Sequence, residues 1–304
     1  MTTPRAALLF AVVVVLWGIN WPIMKVALEM VSPLTFVSLR LLSGLLSVMV
    51  IAYLLGDLRL PHRRDWPMVI VVGVLQMAGY LALVSMALQT VPAGRSAILG
   101  YTMSVWVAPM SVLILGETLG YLRALGVAAG LLGVLVMLSP WGFDWSTPGM
   151  VAGHLMLLLG ALGWALAIVM VRARGQKGSP LALAPWQFLA GLICIVPLTL
   201  WFEGWQPVPW QHAGFIAILI YNGPITAGFG FWAMLTVTRY LPAVTTSVGA
   251  LGVPAVGLVA ASLSLGETIT LNSLAGLGLI VLGVYLVATA GLREHRRRFS
   301  SPSD

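Results

Sequence analysis

The chain repeats itself, and each copy carries an odd number of membrane-length apolar segments. Trp17, Pro33 and Gly44 recur as Trp164, Pro180 and Gly191, each 147 positions later (164 − 17 = 180 − 33 = 191 − 44). Pro92-Ala93, Gly116-Glu117-Thr118, Gly126 and Gly133-Val134 recur as Pro242-Ala243, Gly266-Glu267-Thr268, Gly276 and Gly283-Val284, now 150 positions later (267 − 117), so one three-residue insertion reconciles the registers. Spans of about twenty apolar residues, enough for a hydrocarbon core of about 30 Å, fall near 6–28, 33–55, 67–89, 92–116, 120–139, 149–172, 180–202, 211–238, 242–265 and 270–291. Five spans per copy force the second copy to enter the membrane from the opposite side. The expected fold is an all-α integral membrane protein, ten transmembrane helices arranged as two inverted five-helix repeats around a midplane site. The repeats divide the chain into 1–142 and 143–292, followed by a basic cytoplasmic tail, 293–304. That is the architecture of a transporter.

Composition excludes a water-soluble alternative. Hydrophobic residues make up 60% of the 304 and charged residues 8%, against about 45–50% and about 25% in soluble domains. The net charge of +7 reflects basic loops and not nucleic-acid binding. With the N-terminus inside, the inner segments carry Arg5, Arg59, Arg63, Arg64, Arg123, Arg172, Arg174, Lys177, Arg239, Arg293, Arg296, Arg297 and Arg298, while the outer loops offer Glu29, Asp144, Glu203 and Glu267. Both termini are therefore expected in the cytoplasm, with the protein in a bacterial inner membrane. Trp66, Trp141, Trp145, Trp201, Trp205 and Trp210 fall at span ends, where indoles anchor at the headgroups. The single cysteine, Cys194, lies in an apolar run and forms no internal disulfide.

Other aromatic and amide residues fall inside the spans. Trp17, Asn20, Trp21, Gln76, Tyr80, Tyr101, Trp106, Trp164, Trp186, Gln187, Tyr221, Asn222 and Trp232 are the set. An amide in hydrocarbon is costly unless it finds a partner or water, so these side chains are expected to face the bundle interior. There they line a cavity for a solute with an apolar part, or pack helices together. Three cations lie away from the inner loops: Lys25, Arg40 and Arg95. Arg40 stands seven residues into its span (40 − 33), roughly 10 Å deep at about 1.5 Å per residue. Together the three suggest an electropositive outer vestibule, with pairing of Arg40 to Glu29 or a backbone carbonyl as the competing picture. Gly18, Pro22, Pro109, Pro254 and Gly223-Pro224 mark places where helices kink or expose backbone. Gly126, Gly130, Gly133, Gly276 and Gly283 read as close helix contacts, within a monomer or at a homodimer surface.

Catalytic constellations are missing. All nine acids lie in loops or at span ends, which removes an intramembrane carboxylate pair, a metal site and the usual proton carrier of a coupled transporter. No cofactor is implied, and His62, His154, His212 and His295 lack metal-ligand spacing. The expected partners are a small-molecule substrate and the lipid bilayer. Three other functions stay open: multidrug efflux of aromatic cations attracted by indole faces, a membrane-embedded enzyme acting on lipid-linked substrates through Glu117 or Glu267, and a scaffold or lipid scramblase.

The start Trp17-Gly18-x-Asn20-Trp21-Pro22, Pro33 with Arg40 behind it, Pro92-Ala93 with Pro242-Ala243, and Leu115-Gly116-Glu117 with Leu265-Gly266-Glu267 resemble the drug/metabolite transporter superfamily, EamA type. The resemblance covers residues 6 to about 291. Within it, the Trp- and Tyr-rich interior is similar to the branch of exporters of aromatic amino acids, the YddG type. The resemblance implies ten helices and a cavity among spans 1, 3, 4, 6, 8 and 9, with Tyr80, Tyr101, Trp106, Trp164 and Trp232 at its wall. It further implies export of aromatic and other neutral amino acids, or related metabolites, by alternating access; the lack of a buried carboxylate points to facilitated diffusion. Arg40 is matched by Gln187 and Pro109 by Val259 in the second copy, so the halves are not equivalent.

Overall fold

The computed structural model describes residues 2–117, 120–138, 148–241, 245–246 and 249–300. Its helices are α1 (Thr3–Ala27), α2 (Pro33–Leu54), α3 (Trp66–Leu88), α4 (Ala93–Leu115), α5 (Tyr121–Leu138), α6 (Met150–Arg174), α7 (Pro180–Phe202), α8 (Ala213–Val237), α9 (Gly252–Leu265) and α10 (Leu271–Ser300). Eight are long and apolar enough to cross a membrane, and α5 and α9 are shorter apolar helices that complete the ten. Large apolar side chains cover the outer surface, among them Leu54, Leu113, Ile193 and Leu263. In water such a surface would be an aggregation liability; in a bilayer it is the solvent-facing one.

Helix pairing repeats when the halves are exchanged. α1 packs on α9 as α6 does on α4, α2 on α8 as α7 does on α3, and α1 on α8 as α6 does on α3. Three crossings join counterparts directly: α2 with α7, α4 with α9, and α5 with α10. The glycine pattern explains the last. A Cβ on Gly126 would stand 2.7 Å from the Gly283 carbonyl oxygen, and one on Gly133 would stand 2.8 Å from that of Gly276. Only glycine lets these two backbones meet.

Span ends match the apolar runs to within a few residues, but two interruptions lie elsewhere than the prolines suggest. α4 breaks between Gly100 and Met103, at Tyr101-Thr102, while Pro109 sits inside an unbroken helical segment. The Thr102 hydroxyl donates to the Leu99 carbonyl at 2.6 Å, competing with the helical ladder. In the second copy a turn at Ala250-Leu251 occupies the same register (251 − 101 = 150), so the span expected over 242–265 resumes as α9 only at Gly252. Pro254 falls in the first turn of that helix, where its missing N–H costs nothing. The expected start at Pro242-Ala243 lies outside the described residues, as do Trp141, Asp144, Trp145 and the 142/143 boundary. α10 runs on past 291, through the first part of the basic tail, to Ser300, and residues 301–304 lie outside the described residues.

α3 and α8 each widen into a π-helical stretch, Gly73–Tyr80 and Tyr221–Phe229. These are counterparts too. Pro224 accounts for the second, because a ring without N–H loosens its turn; the first contains no proline. Such bulges concentrate at functional sites, and here they carry Gln76, Tyr80, Tyr221 and Asn222.

Candidate functional site

The aromatic candidates separate into two groups around α1. In the first, Tyr80 of α3 meets Trp164 of α6 edge to face, centroids 4.7 Å apart at 69°. Gln76 donates to the Trp164 carbonyl at 3.3 Å. At Gly100 of α4 a Cβ would lie 2.7 Å from the Trp21 ring and 2.8 Å from the Tyr80 hydroxyl, so this glycine makes room for both rings. Tyr101, at the break in α4, packs against the same core. Residues from α1, α3, α4 and α6 thus converge above the break.

The second group ties α1 to α8. Trp17 donates its indole N–H to the Thr226 carbonyl at 3.1 Å, and the Tyr221 hydroxyl donates to the Leu16 carbonyl at 2.8 Å. The Thr226 carbonyl lies within the π-helical stretch of α8, where the backbone ladder is loosened. Asn222 donates to the Ile218 carbonyl at 3.0 Å, leaving its side-chain oxygen buried without a partner among the described residues. Trp232 packs on Phe229, centroids 5.8 Å apart. Trp106, lower in α4, likewise has a buried indole N–H with no partner there. Gln187 is buried where α7 crosses α3 and joins neither group. Trp186, expected in the interior, sits with Trp66 near the helix ends, centroids 6.0 Å apart, donating to the Arg59 carbonyl at 2.8 Å. Its position one turn and a half into α7 leaves it within reach of the headgroup region. Trp201 and Trp205 project outward, 83% and 90% exposed, as interfacial indoles do.

The three cations expected in an outer vestibule do not form one group. Lys25 pairs with Glu267 at 3.3 Å and donates to the Val91 carbonyl at 3.2 Å. Arg95 has the same carboxylate as its charge neighbour. Glu267 also accepts the Ala93 and Gly94 amides of α4 at 2.6 and 2.9 Å, meeting the orphan N–H groups and positive dipole of that helix end. Arg40 lies deeper and apart. Its hydrogen bond is to neither Glu29 nor a carbonyl but to the Met24 thioether, 2.7 Å away.

The Leu-Gly-Glu repeat acquires a physical meaning here. Gly116 and Gly266 end α4 and α9 with φ of 66° and 69°, a left-handed conformation open to glycine at little cost. The chain turns back and delivers the following glutamate to the helix ends. At the opposite end of the bundle Glu117 pairs with Arg172 at 2.9 Å and Arg123 at 3.3 Å, and Arg172 is the counterpart of Lys25 (172 − 25 = 147). A second symmetric pair caps α2 and α7. Glu203 accepts the Leu34 and Thr35 amides, both at 2.8 Å, and the Ser32 hydroxyl at 2.5 Å. At the other end of these helices Asp57 takes the Ser179 hydroxyl, and buried Asp65 takes the Lys177 and Gly178 amides at 2.9 and 3.0 Å. Sequence alone places Asp57, Asp65 and Glu203 in loops or at span ends; the signal that exposes their role is the register itself, which aligns Ser32 with Ser179 and Lys25 with Arg172.

The EamA-like transporter family matches the chain twice, over residues 4–139 and 151–289. The chain belongs to this family. The two matches coincide with the two halves of the EamA architecture seen in the helix pairing. Among its relatives, an uncharacterized transporter of Bacillus subtilis, YvbV, is 32% identical over 286 residues, covering 94% of this chain and 92% of the relative. A probable amino-acid metabolite efflux pump of Salmonella typhimurium is 26% identical, covering 90% of this chain and 91% of the pump. A probable terminal-alkyne amino-acid exporter of Streptantibioticus cattleyicolor is 25% identical over 99% of both chains. A solved crystal structure at 20% identity superposes with a TM-score of 0.66 over 95% of this chain and 99% of its own, which establishes the common fold.

Proposed function

We propose that this EamA-family protein exports amino acids, aromatic and other neutral ones foremost, or related small metabolites, by alternating access. The observation that carries the reading is the convergence of Trp21, Tyr80, Tyr101 and Trp164 from four helices beside an interrupted α4. Rings in such a place bury an apolar side chain, and the loosened backbone offers polar groups to the rest of the solute. Two relatives bear names that assign them amino-acid efflux or export. The halves, 1–142 and 143–292, act as the two moving units, and the Glu267 and Glu117 clamps at opposite ends fit closure of one face at a time. The protein resides in the inner membrane with both termini cytoplasmic, and the solute runs down its own gradient, since the described spans place no carboxylate among the aromatic groups.

The test is uptake into proteoliposomes of a labelled panel of neutral amino acids, aromatic cations and lipid-linked substrates, with a pH difference and a membrane potential imposed separately. Neutral amino acids are expected to equilibrate under both conditions. Selective movement of aromatic cations would replace this reading with multidrug efflux, and accumulation driven by the pH difference would refute facilitated diffusion.

A further inference from the structure

Arg40 is a cation placed deep in a hydrocarbon slab without an acid. It lies seven residues below the outer end of α2 at Pro33 (40 − 33), and Asn20 lies seven below the outer end of α1 at Ala27 (27 − 20). Both are therefore about 10 Å deep. Their side chains converge on one atom. The guanidinium donates to the Met24 sulfur at 2.7 Å and the Asn20 amide donates to the same sulfur at 3.2 Å.

A thioether is a weak acceptor, and a partly buried guanidinium at that depth needs more than that. The acids that could have supplied it are engaged elsewhere: Glu267 on Lys25 and α4, and Glu203 on α2. Glu29 is exposed. Among the described residues no carboxylate stands within ion-pair distance of Arg40. Asn20 is 93% buried (7% exposed), and its side-chain oxygen likewise has no partner there. The neutral Tyr80 phenol lies within electrostatic range of Arg40, and its ring leads directly to Trp164.

We infer that Arg40 and Asn20 form the head-group subsite for the solute: the guanidinium takes its carboxylate, the Asn20 oxygen accepts from its ammonium group, and Met24 sulfur occupies the donors between solutes. This rests on the reading of the protein as an amino-acid carrier and deepens it. An α-amino acid bound so places its side chain toward the Tyr80–Trp164 pair. A carboxylate without an amine satisfies only one half of the subsite, and an amine without a carboxylate leaves Arg40 unpaired. Arg40 is thereby separated from Lys25 and Arg95, which belong to the outer clamp. The second copy has Gln187 at the Arg40 register, so the subsite is one-sided.

The experiment compares wild type with Arg40→Gln, Arg40→Lys, Asn20→Ala and Met24→Leu, using L-phenylalanine, L-phenylalaninamide and 3-phenylpropionate as probes. Ligand-induced shifts in melting temperature in detergent and uptake into proteoliposomes are both read. Wild type is expected to be stabilised most by phenylalanine, less by 3-phenylpropionate and not by the amide. Arg40→Gln should weaken the binding of both carboxylates about ten- to hundredfold, while Arg40→Lys restores part of it. Asn20→Ala should remove the advantage of phenylalanine over 3-phenylpropionate, and Met24→Leu should keep all preferences. An Arg40→Gln protein that still prefers phenylalanine to its amide overturns the subsite, as does wild type indifferent to every carboxylate. Arg40-dependent stabilisation by carboxylates without transport of any of them would uphold the subsite and refute amino-acid carriage; should Arg40→Gln fail to fold, the Lys and Asn20 variants decide.

Discussion

Replacing Glu267 by alanine should unlatch the outer face. The carboxylate holds three partners on two other helices: the Ala93 amide at 2.6 Å, the Gly94 amide at 2.9 Å and Lys25 at 3.3 Å. Hydrogen bonds to a charged group contribute about 1.5–3 kcal/mol each. The Lys25 pair adds less than about 1 kcal/mol, because its side chains are 29% and 15% exposed and water screens them. Water replaces part of the lost amide bonds, leaving a net loss of about 3 kcal/mol from the outer-closed arrangement. At 1.4 kcal/mol per factor of ten, that shifts the open population on the order of 100-fold. Ser96, fully buried one turn below the capped end, reports it. Since Cys194 is the single cysteine, a Cys194→Ala, Ser96→Cys protein carries one reactive thiol. Its labelling by a membrane-impermeant maleimide should be slow, and faster by one to two orders of magnitude once Glu267→Ala is added. Equal labelling rates in the two backgrounds, with both proteins folded in the membrane, would refute the clamp.

Trp164→Ala and Tyr101→Ala should lower amino-acid uptake severalfold or more while expression persists, because a ring pair such as Tyr80–Trp164 contributes about 0.5–1.5 kcal/mol beyond its buried area; wild-type rates from both would reduce these rings to packing. Gly133→Val should destabilise by about 1–3 kcal/mol or more, since its Cβ alone would stand 2.8 Å from the Gly276 carbonyl oxygen and 2.8 Å from Ile280; an unchanged melting temperature in detergent would contradict the close α5–α10 approach. A reporter that fluoresces only in the cytoplasm, fused after Asp304, should be bright. A dark fusion at normal membrane levels would overturn the inverted arrangement.

Span positions were legible because a membrane helix must be apolar along its whole length, so Pro180–Phe202 emerges from hydropathy alone. Duplication revealed the symmetry, and the glycine periodicity announced close helix contacts without naming the partners, which the structure shows to be α5 and α10. Of the helix interruptions, the one in α8 was marked by Gly223-Pro224, and the one in α4 was not. Pro109 lies in an intact segment, whereas the break at Tyr101-Thr102, where the Thr102 hydroxyl donates to the Leu99 carbonyl, falls on residues whose types announce no interruption. The cavity list mixed two kinds of residue because depth in a span says nothing about azimuth: Trp21 and Trp164 join the ring cluster, while Trp17 and Tyr221 bind helices together and Gln187 stands apart. Capping acids were hidden for another reason. Glu203 and Leu34 are 169 positions apart, and local sequence carries no trace of such a pairing. Met24 passed as one apolar residue among many until two donors were found on its sulfur.

Counterflow tests alternating access by an amino-acid carrier most directly. Proteoliposomes are loaded with a high concentration of an unlabelled neutral amino acid and diluted into a trace of the labelled one, with no pH difference or potential across the membrane. A carrier whose single site faces one side at a time should draw label inward above its external concentration, the overshoot decaying as the unlabelled gradient collapses. Arg40→Gln should flatten that overshoot. Label that rises only to equality in the wild type, as through an open pore or a scrambling groove, would contradict the account.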